Sequence, residues 1–248
     1  MDSIWTSGDI VTTVVSFILI FGITITIHEL GHLLVGLLQG FKFIWFVIGP
    51  LGIRRNEKNT LEIYFEKNLG HWGGMCATSP VIIDETTIKK FSKALLGGPI
   101  FSIFIGFLLV SDLFREIYFL NTIGAMSLII GIVCLIPMKN GSDGYTDGGR
   151  LIRLHRKQTQ KAELIALTIS TLATQWMASQ MNAININPSD FQFLMNEQDS
   201  DAKVFGHYFQ CLYYRDKQEE QKYQDAKNAF IKLDVEMSIK EPYMADLK

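Results

Sequence analysis

The pattern of apolar and polar positions divides the chain. Three long apolar runs fall in the first 138 residues: Ile10 to about Leu38, Ala94 to Ser111, and Ile117 to Met138. Each is long enough to cross a hydrocarbon core about 30 Å thick. Between the first two, Phe41-Lys42-Phe43-Ile44-Trp45-Phe46-Val47-Ile48 is β-rich and stops at Gly49-Pro50. Leu61-Glu62-Ile63-Tyr64-Phe65-Glu66 alternates, with a polar turn from Asn56 to Asn59 before it, which predicts a sheet or hairpin, placed at the inner membrane surface. Beyond Arg150, Leu164-Ile165, Ile169, Leu172-Ala173 and Trp176-Met177 recur at helical spacing, the mark of an amphipathic packed helix. Leu164 to Ala183 also carries no charge, so a fourth span is compatible with it. Pro188 opens another short helix. Ala202 to Tyr214 and Glu219 to Met237 then form an expected helix pair with Tyr208, Leu212, Ala226, Ala229 and Phe230 inward. Its Ala/aromatic pattern fits either a plain helical hairpin or a tetratricopeptide-like unit, a protein-binding surface. The expected fold is therefore membrane α-helical: at least three transmembrane helices, a small β segment at the membrane surface, and a soluble helical C-terminal region. Residues 1–160 form the expected core and 161–248 the expected helical domain.

Charge adds an orientation. Between the first and second spans lie eight Lys and Arg residues, and Lys139 to Lys161 holds six, whereas none precedes the first span and one, Arg115, separates the second and third. The positive-inside rule then puts the N-terminus outside and both basic segments in the cytoplasm. Met1-Asp2-Ser3-Ile4-Trp5 lacks the basic region of a cleavable signal peptide, so the first span is expected to stay in the mature protein. A net charge of −2 gives no reason to expect nucleic acid as a partner. Cys76, Cys134 and Cys211 are scattered and without CxxC spacing, which suggests neither a disulfide framework nor a zinc knuckle.

The candidate chemistry sits on the first span, at His28-Glu29-Leu30-Gly31-His32. Residues four apart share a helix face, so His28 and His32 can hold one metal ion, and Glu29 is placed to act on a metal-bound water. The competing reading is a pair of packed core histidines. Eighteen uncharged residues, Ile10 to Ile27, precede the motif, and ionisable groups in such a setting are a functional hypothesis by default. At 1.5 Å per residue His28 lies about 27 Å along the helix from Ile10, toward the cytoplasmic side. A hydrolytic zinc takes three protein ligands and leaves a fourth position open. Asp143 and Asp147, in the glycine-rich stretch after Pro137, are the candidates for the third; such backbone is expected to line a cavity. His71, His155 and His207 are less suited. Gly73-Gly74 fits an ordinary turn, or a loop or edge strand at the site whose backbone could pair with an extended substrate.

Taken together, His28-Glu29-Leu30-Gly31-His32, Gly73-Gly74, Gly97-Gly98-Pro99 opening the second span, and Asp147-Gly148-Gly149 after a proline-terminated span resemble the site-2 protease family of intramembrane zinc metalloproteases, over roughly residues 10 to 155. The resemblance implies Zn2+ bound by His28, His32 and Asp147, Glu29 as catalytic base, and substrates that are transmembrane segments or hydrophobic peptides cut near or within the bilayer. The family's usual asparagine after the GP pair is Ser102 here, Thr146 stands before the aspartate, and Pro137 lies farther from Asp147 than is common, which keeps Asp143 a rival ligand. A bacterial or an organelle membrane fits these residues, and a compact chain without a long luminal insertion favours a multi-pass protein of the bacterial cell membrane, with lipid as a partner and the C-terminal helices offering a protein-binding surface. Because the histidines must be neutral to bind metal, activity should fall below about pH 6. Two other readings share these residues: a non-catalytic membrane scaffold that keeps the metal site, and a membrane-anchored metalloprotease acting on cytosolic peptides.

Overall fold

The computed structural model describes residues 7–56, 58–81, 83–114, 116–140 and 144–247. Helix α1 (Ser7–Leu38) leads into strands β1 (Lys42–Ile48), β2 (Leu51–Arg55), β3 (Leu61–Phe65) and β4 (Met75–Ser79). Helices α2 (Thr87–Leu109) and α3 (Tyr118–Leu135) follow, then a two-stranded ribbon of β5 (Lys139–Asn140) and β6 (Gly144–Tyr145). The remainder is helical: α4 (Asp147–His155), α5 (Gln160–Ala178), α6 (Pro188–Met195), α7 (Ser200–Asp216), α8 (Glu220–Ile231) and α9 (Met237–Met244). Arg115, used in the charge count, and Asp143, the rival ligand, lie outside the described residues, as do Met1 to Trp5.

Three described helices are long and apolar enough to cross a membrane: Ile10–Leu38, Thr87–Leu109 and Tyr118–Leu135. Helix α5, over which a fourth span was compatible, is not among them. The second begins before the apolar run at Ala94, because Asp84 accepts the Thr86 N–H at 2.8 Å and starts the helix on a polar turn bearing Lys89, Lys90 and Lys93. The third stops at Leu135, since the residue before Pro137 is forced out of the helical region and Ile136 is extended at φ −69°, ψ 124°. Helices α1 and α2 cross at Gly31 and Gly97, where a Cβ on either would stand 2.4 Å from the other's carbonyl oxygen. Only hydrogen at both positions permits that approach.

The sheet is antiparallel, in the order β3-β2-β1-β4. Strand β2 was not foreseen, since its two arginines and Gly52 weaken the alternation; it pairs Leu51 with Ile48 of β1 and with Phe65 of β3. The polar turn falls where expected, with the Asn56 carboxamide oxygen accepting the Lys58 and Thr60 N–H groups at 3.0 Å each. The stretch after Gly74 is an edge strand, β4. On the buried face Ile44, Trp45 and Val47 pack against Ala178 of α5.

Helix α5 joins two apolar clusters. Its Leu167 packs with Phe41, Phe91, Leu95 and Leu154, while its Leu172 packs with Phe191, Leu194, Phe209, Leu212 and Phe230. In the expected helix pair Tyr208, Leu212, Ala226 and Phe230 are buried as anticipated. Ala229 is exposed and α8 ends at Ile231, because Leu233 to Glu236 turn the chain before α9.

Asp190 on α6 is wholly buried beneath β4, within 3.5 Å of Ser79 and Gln175 and 3.3 Å of Ser189. Burial pushes its carboxyl up to about 7, against hydrogen bonds from Ser189, Gln175 and Ser79 that favour the charged form. The folded protein therefore holds this proton more tightly than the unfolded chain does. The ionisation penalty is absent below about pH 4, grows as pH rises, and is complete above about pH 7, where it reaches at most about 4 kcal/mol. Thermal melts between pH 5 and 8 should show wild-type stability falling with pH, and Asp190→Asn should flatten that slope.

Candidate metal centre and active site

His28 and His32 stand one turn apart on α1 with their rings edge to face, centroids 4.8 Å apart and Nε2 atoms 3.2 Å apart. Helix α4 brings Asp147 to the same point: its Oδ2 lies 3.3 Å from His28 Nε2 and 3.4 Å from His32 Nε2. The other imidazole nitrogens are held from α2. His32 Nδ1 donates to the Ala94 carbonyl at 2.8 Å, and since a carbonyl only accepts, Nε2 keeps its lone pair for a ligand. His28 Nδ1 is 3.1 Å from the buried Ser102 hydroxyl. Anchoring the far nitrogen of a ligating histidine is the usual support of a metal site. Ser102 thus occupies a position of consequence, which the sequence had marked only as a departure from the family pattern.

The donor set fits a metal ion. Bonds of about 2.0–2.1 Å in a tetrahedron require donor atoms about 3.3–3.4 Å apart. The three separations, 3.2, 3.3 and 3.4 Å, meet that requirement with two neutral nitrogens and one carboxylate oxygen. A second combination exists, in which His28, Cys134 and Asp147 offer donor atoms within 4.8 Å of one another. The His28-His32-Asp147 set is the tighter. Cys134 was missed because nothing in its local sequence distinguishes it; the fold of α3 alone brings it here.

Two short-range features hold the third acid. Thr146 caps α4, accepting the Gly149 N–H at 3.3 Å and donating to the Ile136 carbonyl at 2.6 Å, which ties the turn to the end of α3. A Cβ at Gly148 would stand 1.9 Å from the Leu135 carbonyl oxygen, so the glycine after Asp147 is what lets the turn lie there. Gly98 has an analogous part on α2, where a Cβ would reach within 2.3 Å of His32 Nε2.

Glu29, His32 and Asp147 face a cavity of about 310 Å³, with Met75 to Thr78 of β4 along one wall and Thr171 and Thr174 of α5 along another. The Gly74 backbone lies against Glu29, since a Cβ there would be 3.4 Å from Glu29 Cγ. The remaining histidines are elsewhere: His71 pairs with Glu66 at 3.2 Å beside the Trp45 ring, His155 with Ser92 at 3.0 Å, and His207 is half-buried on α7.

Two helix-borne histidines, a third acid brought from a distant helix, and a carboxylate on the shared cavity form a candidate metal centre. Residues 16–114 match the model of Peptidase family M50, the site-2 protease family, a family of membrane metalloproteases. The match takes in α1 from Ser16, the four-stranded sheet and α2; Asp147 lies beyond it. No curated protein and no solved structure matches the chain.

Gly98→Ala should abolish metal retention by displacing the His32 nitrogen. Ser102→Ala, which frees only the far side of the His28 ring, should weaken metal affinity about 10-fold. Metal content of the purified variants, with competition against a chelator, checks both.

Proposed function

We propose that the chain is a zinc-dependent intramembrane endopeptidase that hydrolyses peptide bonds in transmembrane segments or hydrophobic peptides. The observation that carries this is the convergence of His28, His32 and Asp147 within 3.4 Å, beside a cavity that His32, Asp147 and Glu29 line, in the second half of an apolar helix. The helices are inside out relative to a water-soluble bundle: Phe17, Ile18, Phe104, Phe107 and Ile129 are more than half exposed, while Thr24, Ser102 and Ser127 are fully buried. Such an exterior suits lipid and such an interior suits a polar site. On the outer face of β2 and β3, Leu51, Leu61, Ile63 and Phe65 are exposed, which supports a sheet resting against the membrane surface.

In this reading zinc, when bound, supplies Lewis acidity at the scissile carbonyl and activates water for attack. His28, His32 and Asp147 hold it, with Ser102 and the Ala94 carbonyl keeping both rings aimed. Glu29 takes the proton of the attacking water and delivers it to the leaving amine. An edge strand beside the cavity, β4, can pair with a substrate that has unwound into extended form, exposing carbonyls a helix would bury in hydrogen bonds. We place the protein in a bacterial cell membrane, with residues 1–160 as protease core and residues 161–248 as a helical domain whose α7 and α8 hairpin offers a partner surface.

Glu29→Gln should retain zinc comparable to wild type and lose 10²–10⁴-fold in cleavage of a transmembrane-segment substrate, both proteins being purified in detergent. Equal cleavage by the two would overturn the assignment of Glu29, and absence of metal from both would overturn the protease reading.

A further inference from the structure

The acid that completes the metal centre sits on a helix of nine residues, and a helix so short does not hold its own orientation. Besides the Thr146 cap and the buried Leu154, what grips it is a side chain thirteen residues beyond Arg150, on the first turn of α5. Glu163 is 3% exposed; its Oε1 accepts from Arg150 Nε at 3.0 Å and its Oε2 from Arg153 Nε at 2.8 Å. Both arginines belong to α4. Arg150 stands one turn along α4 from Asp147 and lines the same cavity, and Arg153 stands one turn beyond Arg150. The Arg153 guanidinium also lies over the Tyr145 ring, 4.5 Å from its centroid, two residues before Asp147. The turn between the helices closes the far end, with Thr159 donating to the Arg153 carbonyl at 2.8 Å and Gln160 to the Leu154 carbonyl at 2.7 Å.

We propose that Glu163 is a positioning residue for the metal centre: by gripping Arg150 and Arg153 it fixes the rotation of α4 about its axis and so aims the Asp147 carboxylate at His28 and His32. A rotation of α4 by a fraction of a turn would swing Oδ2 out of the 3.3–3.4 Å contacts it makes with both rings. The two arginines are one helical turn apart, which defines a line along α4, and a bidentate carboxylate across that line resists rotation as a single contact cannot. The inference rests on Asp147 being the third ligand, and it makes α5, outside the segment matched by the family, a working part of the site.

The test is Co2+ binding by the full chain in detergent, read as affinity and as the visible ligand-field spectrum, for wild type, Glu163→Gln, Arg153→Gln, Asp147→Asn and the Glu163→Gln/Asp147→Asn double variant. Glu163→Gln and Arg153→Gln should each lower affinity by about 10–100-fold and alter the ligand-field bands. In the Asp147→Asn background, Glu163→Gln should cost nothing further, because its effect passes through Asp147. If charge near the ion were all that mattered, Arg153→Gln would raise affinity, and that result overturns the proposal. So does a folded Glu163→Gln protein with wild-type affinity and spectrum, or an undiminished loss in the double variant. Should circular dichroism show Glu163→Gln unfolded, Arg153→Gln decides alone. Wild-type binding by Asp147→Asn would overturn the ligand set itself, and the clamp with it.

Discussion

An imidazole or carboxylate enclosed by apolar side chains is costly unless every polar atom finds a partner, and α1 cannot supply partners for its own histidines. His28 needs Ser102, His32 needs the Ala94 carbonyl, and both turn their remaining nitrogen toward Asp147. Two helices, α2 and α4, must therefore approach within hydrogen-bonding distance of one turn of α1. The small residues follow from this demand: Gly31 against Gly97 brings the α1 and α2 backbones together, and Gly98 leaves the space His32 occupies. The geometry that satisfies the polar atoms is also the geometry that a tetrahedral metal ion requires.

Helix α4 is where the apolar helices and the polar C-terminal region meet. Thr146 ties its start to the end of α3, Leu154 is fully buried among Phe91, Leu95 and Leu167, and Glu163 grips its arginines. None of these contacts is strong alone, but together they hold a short helix from three sides. Because α5 also packs through Leu172 into the cluster of α6 and α7, it connects that cluster to the helix that carries Asp147.

The cavity has walls of different character. Strand β4 offers backbone groups at a sheet edge, and Thr171 of α5 lines the same space, whereas the exposed faces of α1 to α3 present almost wholly apolar side chains. The buried Asp190 joins β4 to α5 and α6 through Ser79 and Gln175, so the strand that borders the site is tied to α5, which lines the same cavity.

By itself the sequence determined what depends on near neighbours. The three apolar runs follow from length and composition, the turn at Asn56 to Asn59 and the helix opened by Pro188 from their local residue types, and the shared face of His28 and His32 from the 3.6-residue period of a helix. The convergence of Asp147 on those histidines was reached through family resemblance rather than spacing. Only the tertiary structure decided that Ser102, 74 residues from His28, supports its ring, that Cys134 lies near the same donors, and that Glu163 holds the helix of Asp147. Strand β2 was hidden for a related reason: Arg54 and Arg55 weaken its local pattern, and it exists because β1 and β3 pair with it on either side. Local pattern records which face of an element is apolar, but a serine, a cysteine or a glutamate acquires its role from what packing brings against it.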